Sequence, residues 1–328
     1  MDRRNLLKLA VAASAGTLAA PSAFAQGAFP SRPIKLVVPF SAGGVNDIVG
    51  RQWADRMKSV LGTVFVENVA GAGGTLGVME AKRAEPDGHT IVLGSTSTMV
   101  LNTMTMSKIA YDPNKDFVPV AIFCASSTSI TVHPSVPAHN VKELIAYAKA
   151  NAGKLSYGSA GTGTMSHLSG EMFKLRTGMT DVVHVPYKGA GPGIADLVSG
   201  HIPMMSPNVT GQLLAFHKAG KVRILAVNAR TRLKAAPDIP TAIEQGVPDM
   251  IGQLFLGIFA PAAAPKPAVE AMSDATRKAM ASADFEKALV TSGFEPEPYL
   301  SAETARRYMA EEYDRWKPVV ASIGLKTN

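Results

Sequence analysis

The chain is poor in the residues that would mark many chemistries. It has one cysteine in 328 residues, Cys124, so no internal disulfide can form. Cys124 lies in the apolar run Val118–Ala125 with no histidine near it in sequence, which makes it a small core residue rather than a catalytic thiol. Aromatic residues make up 6%, too few to provide stacking platforms for nucleic-acid bases. The net charge of +7 is spread along the chain and forms no basic stripe, which argues against a nucleic-acid partner. There is no G-x-S-x-G, no H-E-x-x-H and no G-x-x-x-x-G-K-[ST]. The seven histidines are His89, His133, His139, His167, His184, His201 and His217, and no two are three or four apart. That spacing excludes a helical metal pair and leaves open a metal site assembled in space. His167, in the first turn of a helical pattern, is the histidine nearest to a candidate loop. No cofactor is expected.

The first 25 residues read as an export leader. Arg3 and Arg4 precede a modestly apolar run that ends in Ala23-Phe24-Ala25, a small-x-small cleavage pattern. Arg3-Arg4-Asn5-Leu6-Leu7-Lys8 resembles a twin-arginine signal, with an ordinary secretory signal as the alternative. The apolar run falls short of the ~20 residues of a membrane span, and no later stretch qualifies. Removing the leader, which carries Arg3, Arg4 and Lys8 against Asp2, leaves a mildly basic chain of about +5.

What is present is organised around Phe40-Ser41-Ala42-Gly43-Gly44-Val45-Asn46-Asp47. The apolar run Ile34–Val38 leads in, and a helical pattern from Ile48 to Leu61 leads out, with Asn46 or Asp47 as the expected N-cap. Such a loop turns helix N–H groups toward open space, where the helix dipole favours an anion. A partial echo comes 118 positions later, Ser159-Ala160-Gly161-Thr162-Gly163-Thr164. Two such loops suggest a two-lobed binder that closes on an acidic ligand. The loop Gly71–Gly77 invites a dinucleotide reading, but Leu76 stands where G-x-G-x-x-G needs glycine. Ser95-Thr96-Ser97-Thr98 ends a strand at the position where open α/β sheets bind ligands, or serves as a simple cap for the segment from Met99 to Met104.

Strand and helix patterns alternate along the chain, which predicts α/β layers. The long stretch Val118–Val132 and the strand Val222–Val227 read as passages between lobes. The expected division is therefore a discontinuous first lobe, 26–124 with 228–328, and an inserted second lobe, 125–227. Tyr187–Gly193 reads as a flexible loop, Ser301 as an N-cap, and the region from Val269 to Ile323 as mostly helical.

The mature chain resembles the solute-binding proteins of tripartite tricarboxylate transporters, the Bug or TctC-like family. The motifs that carry the likeness occur in order: Arg32–Phe40 with Gly43-Gly44 and Asp47; Val66-Glu67-Asn68 with Gly71-Ala72-Gly73-Gly74; Pro86-Asp87-Gly88-His89-Thr90; Tyr111-Asp112-Pro113; Tyr157–Gly163 with His167-Leu168; Val185-Pro186-Tyr187-Lys188-Gly189; and Pro240-Thr241 with Glu244. The resemblance implies a type II-like periplasmic binding fold, each lobe a sheet flanked by helices, with the ligand cleft between lobes. It implies a small carboxylate, a dicarboxylate or an aromatic acid, gripped by Phe40, Ser41, Ala42, Gly43, Gly44 and Asp47 and by Ser159, Ala160, Gly161, Thr162 and Thr164. Ser95, Thr96, Tyr187 and Asp196 fall where they can contribute. It further implies a monomer in the periplasm that closes by a hinge, hands its ligand to membrane permease subunits and catalyses no reaction. Two alternatives stay open: a sensor for a membrane signalling partner, and an exported α/β hydrolase using Ser159. Phe255 replaces a usual tryptophan, and Pro261-Ala262-Ala263-Ala264-Pro265 and Ser206-Pro207-Asn208 also depart from the family pattern. Arginine is absent from both loops, which favours one carboxylate per loop over a dense polyanion such as citrate.

Overall fold

A computed structural model describes residues 29–325; the expected export leader lies outside them. In chain order the strands are β1 (Ile34–Val38), β2 (Val64–Asn68), β3 (Thr90–Ser95), β4 (Phe117–Ser127), β5 (Ser129–Val132), β6 (Ser156–Ser159), β7 (Val183–Pro186), β8 (Met204–Met205), β9 (Arg223–Val227), β10 (Gln253–Pro261) and β11 (Glu295–Tyr299). The main helices are α1 (Val45–Leu61), α2 (Thr75–Arg83), α3 (Val141–Ala150), α4 (Met165–Thr177), α5 (Ala190–Ser199), α6 (Gly211–Lys218), α7 (Lys266–Met280), α8 (Ala283–Thr291) and α9 (Ala302–Ile323).

The strands form two sheets, one ordered β11-β4-β10-β3-β1-β2 and the other β7-β6-β8-β5-β9. In the first, β1 pairs in parallel with β2 and β3, and β10 runs antiparallel between β3 and β4. In the second, β6 is parallel to β7 and β8, and β5 is antiparallel to β8 and β9. This is mixed α/β architecture with helices flanking both sheets. The apolar run of β1 is almost entirely buried, as a strand covered on both faces requires.

The stretch Val118–Val132 does pass from one sheet to the other, but it breaks at Thr128 into β4 and β5. Val222–Val227 does not carry the chain back. It pairs with β5 as the edge of the second sheet. The following segment stays there too, with Ala229, Leu233, Ala236 and Ile239 packing on Ile194, Leu197 and Leu213. The return occurs at Gly252, and three chain segments are tied at that point. Thr128 N donates to Gly252 O at 2.7 Å, Asn228 N to Thr128 O at 2.8 Å, and Gly252 N to Asn228 O at 2.9 Å. Thr128 Oγ1 also meets Ser169 Oγ of α4 at 2.8 Å.

Several local expectations shift. Gly44, in extended conformation, is the N-cap of α1, so Asn46 and Asp47 lie inside the first turn. Tyr187–Gly193 is not all loop, because α5 begins at Ala190. Thr96 leads into a π-helical turn, Ser97–Leu101. Ser301 caps α9 with a reciprocal capping box, as its sequence suggests. The C-terminal region also contains a strand, β11, whose Pro296 and Pro298 read as breakers. It is an edge strand, where a missing N–H need not interrupt a ladder. Cys124 is fully buried in β4.

Candidate functional site

The carboxyl ends of the two sheets face each other, and their loops are in contact. The loop after β1 meets the start of α5. Ser41 N donates to Lys188 O at 3.3 Å. A Cβ on Gly191 would stand 2.0 Å from Ala42 O, and one on Gly44 would stand 3.4 Å from Ala190 N. Two helix N-termini, α1 and α5, therefore converge from opposite sheets. Among the described residues no protein group accepts from the amides of Gly44, Val45, Asn46 or Asp47, nor from those of Ala190 or Gly191. Beside these amides, Ser41 Oγ and Asn46 Oδ1 are buried without a hydrogen-bond partner. Unpaired buried donors at a helix N-terminus carry positive potential, and two such ends facing each other repel unless an anion lies between them.

The frame behind this pocket is held by Asp47. Its carboxylate accepts from Gly43 N at 3.0 Å, Arg51 Nε at 2.9 Å and Asn68 Nδ2 at 3.0 Å. Burial works against the charge, yet Arg51, Gly43 and Asn68 together hold the carboxyl below its usual range. Asp47 therefore braces the loop, and its oxygens are already engaged. Phe40 is buried with its ring against Gly74, where a Cβ would come within 2.8 Å of it, and its carbonyl accepts from Asn68 Nδ2.

The loop after β6 faces other partners. A Cβ on Gly73 would stand 2.6 Å from Thr162 O, and one on Gly163 would stand 2.9 Å from Thr105 Oγ1. Its amides are mostly satisfied internally. Ala160 N donates to Ser166 Oγ at 3.3 Å, Gly161 N to Ser159 Oγ at 3.1 Å, Gly163 N to His167 Nδ1 at 3.1 Å and Thr164 N to Gly161 O at 3.3 Å. Met165 N, at the start of α4, donates to Ser97 Oγ of the first sheet's π-turn at 3.0 Å. Thr164 is the N-cap of α4, with its hydroxyl on Gly161 O at 2.7 Å.

The remaining sequence-selected residues divide by whether their polar atoms are engaged. Ser95 Oγ is buried and unpartnered, whereas Thr96 Oγ1 accepts from Phe255 N at 2.8 Å and so anchors β10. Tyr187 Oη donates to Asp196 at 2.7 Å. Burial and then that neighbouring carboxylate push the phenol up to about 12. Sequence reading missed Asn46 as a polar group of the pocket, Gly189–Gly191 as the facing wall, Ser97 as the contact to α4, and His184. Asn46 was legible in principle, as a polar residue in the first helical turn. His184 had no sequence signal, because only the register Tyr157↔His184 places it beside Ser159.

Ser159 Oγ lies 2.6 Å from His184 Nε2, a spacing that suits a nucleophile and its base. Ser159 is fully buried. Burial first and then His167, against Glu171, push His184 down to about 3, too weak a base for proton abstraction near neutral pH. Among the described residues no His/Cys/Asp/Glu group could hold a metal. A groove of 790 Å³ between the 99–116 segment and residues Met309–Asp314 of α9 includes the motif Tyr111-Asp112-Pro113 but none of the candidate ligand-binding residues.

Two α/β sheets whose helix ends meet, with unpaired amides between them, form an architecture that matches periplasmic binding proteins. The chain belongs to the tripartite tricarboxylate transporter family receptors, the TctC family, whose family model matches residues 49–325. It is a family of substrate-binding proteins and not of enzymes. The chain is 34% identical, over 100% of its length and 96% of the relative's, to the UPF0065 protein in the tcbD-tcbE intergenic region of Pseudomonas sp. strain P51. The solved structure of the periplasmic binding protein BugD is 31% identical with a TM-score of 0.87, covering 92% of this chain and 100% of BugD. MatC from Rhodopseudomonas palustris with bound malate is 32% identical with a TM-score of 0.83, covering 89% and 100% of the two chains.

Proposed function

We propose that this protein captures a small carboxylate between its two sheets in the periplasm and delivers it to a tripartite membrane transporter. The observation that carries the reading is the convergence of the unpaired amides of Gly44–Asp47 and Ala190–Gly191 from opposite sheets. One carboxylate, held by those amides and by Ser41 and Asn46, suits that donor set better than a polyanion does. The malate held by MatC is an example of such a ligand in a relative. Ser95 Oγ, buried and unpartnered at the end of β3, is assigned to the ligand's other end.

The two lobes divide where the chain crosses, residues 29–127 with 253–325 against 128–252, and the knot at Thr128, Asn228 and Gly252 is the hinge. A ligand that touches both helix ends binds the closed form better than the open one, and that difference drives closure. The chain acts as a monomer after a leader is removed near Ala25.

Thermal unfolding against mono-, di- and tricarboxylates tests the reading, using protein unfolded and refolded to strip any bound ligand. A ligand at 100 times its dissociation constant adds about 2.7 kcal/mol of stability. If no carboxylate in a broad panel raises the melting temperature, the proposal fails.

A further inference from the structure

The second glycine loop rests on a feature that carboxylate capture does not by itself require. The rings of His167 and His184 are stacked, with centroids 3.8 Å apart and planes within 8°. His184 also stacks on Tyr157, its neighbour in the β6–β7 register, at 5.0 Å. Gly170 in α4 lets this layer close, since a Cβ there would stand 2.1 Å from the Tyr157 ring.

The hydrogen bonds fix where the protons are. Gly163 N–H donates to His167 Nδ1 at 3.1 Å, so that nitrogen is bare and the ring proton sits on Nε2. Gly161 N–H donates to Ser159 Oγ at 3.1 Å, and among the described residues the other partner of that oxygen is His184 Nε2 at 2.6 Å. The buried serine proton therefore goes to His184 Nε2, and His184 carries its own proton on Nδ1. We infer that His167 and His184 are a positioning pair: two neutral imidazoles of opposite tautomer that act as the terminal acceptors for the amides of Gly161 and Gly163 and so set the shape of the loop facing Gly73. The inference rests on the reading of that loop as one wall of the ligand cleft.

The surrounding groups keep both rings uncharged. Burial and then Lys174 push His167 down to about 4. Lys174 lies over the Tyr157 ring and bonds Glu171 at 3.0 Å, and Glu171 in turn accepts from Tyr157 Oη at 2.7 Å. At His184, burial and then His167 disfavour the charged ring, and they outweigh Glu171, which favours it.

Nitrogen-15 histidine correlation spectra of the intact mature chain at pH 7 read the tautomers directly. The expected pattern is Nε2–H for His167 and Nδ1–H for His184. Finding either ring cationic, or His184 protonated on Nε2, overturns the assignment. Two variants separate positioning from packing. His184→Phe keeps a flat ring in the stack but removes the acceptor, and Gly161 amide exchange should quicken by about tenfold. His184→Gln presents an oxygen near the position of Nε2 and should restore protection to within about threefold of the parent. Equal behaviour of the two variants overturns the proposal. Should His184→Phe fail to fold, the parent tautomers and the glutamine variant decide. These readings need no ligand. Predicted tautomers together with no carboxylate binding would sink the functional reading alone, and carboxylate binding with the wrong tautomers would sink this one.

Discussion

The two glycine loops look alike in sequence and differ in how they satisfy their backbone. The loop before α1 has one internal acceptor, Asp47, which takes Gly43 N–H and leaves the next four amides without a protein partner. The loop before α4 has Ser159, Ser166 and His167 of its own and Ser97 from the other sheet, and each takes one amide, four in all. A small-residue turn ahead of a helix is thus not in itself an anion site. Whether it becomes one depends on whether nearby side chains offer acceptors. The first loop leaves its donors without a protein acceptor among the described residues, and the second uses its donors to hold a shape against the opposite sheet.

This contrast can be broken most strongly at the facing wall. Gly191→Val places side-chain atoms where Ala42 O already stands. Carboxylate affinity should fall by on the order of 100-fold, about 2.7 kcal/mol, with the melting temperature of unliganded protein nearly unchanged; isothermal titration and a thermal melt read both. Unchanged affinity would remove α5 from the site.

Acid should separate the loops next. His167 and His184 have folded values of about 4 and 3 against an ordinary 6.5, so the unfolded chain binds more protons between those limits. Their contribution is full above pH 6.5 and is lost as the pH falls toward 4. Asp47 is held below its ordinary 3.8 and so is charged at pH 5. Amide exchange at pH 5 should therefore quicken at Gly161 and Gly163 before it does at Gly43. Glu297 runs the other way. Burial first, then Glu295 and Glu312, raise it to about 7, so its ionisation lowers stability as the pH climbs from 4.5 to 7. Glu297→Gln should remove that loss in urea melts, leaving a profile that only rises with pH over this range.

Asp47→Ala should destabilise the protein by about 2 kcal/mol in urea unfolding, because Gly43 N–H and Asn68 lose a buried acceptor. Arg51, half exposed, can return to water. The smallest expected effect is that of Ser97→Ala, about 1 kcal/mol, which removes the acceptor for the first amide of α4. If Ser97→Ala weakened ligand binding more than Gly191→Val did, the roles assigned to the two loops would be reversed.

Much of the fold is legible in the chain. The buried run of β1, the alternation of strand and helix, the passage through Val118–Val132 and the cap at Ser301 all follow from local pattern. The edge strand β11 is not legible, because its prolines are tolerated only by virtue of a position in the sheet that local pattern does not encode. The return at Gly252 hides for a similar reason. Segment 229–239 has no regular period, and its affiliation comes from packing on α5 and α6. At the site, the composition of both loops could be read but not their pairing. Ser41–Gly44 facing Gly189–Gly191, and Thr162 facing Gly73, are facts of tertiary geometry.

Cys124 has a further consequence. Its thiol is fully buried, and burial first, then Glu297, push it well above its ordinary value, so the native protein presents no reactive thiolate. Cysteines introduced at Val60 of α1 and Leu175 of α4, 51% and 57% exposed, would take fluorescent dyes with no background from the parent chain. Energy transfer between the two dyes would then read, in real time and molecule by molecule, whether α1 and α4 change their separation when carboxylate is added, which tests the proposed closure directly.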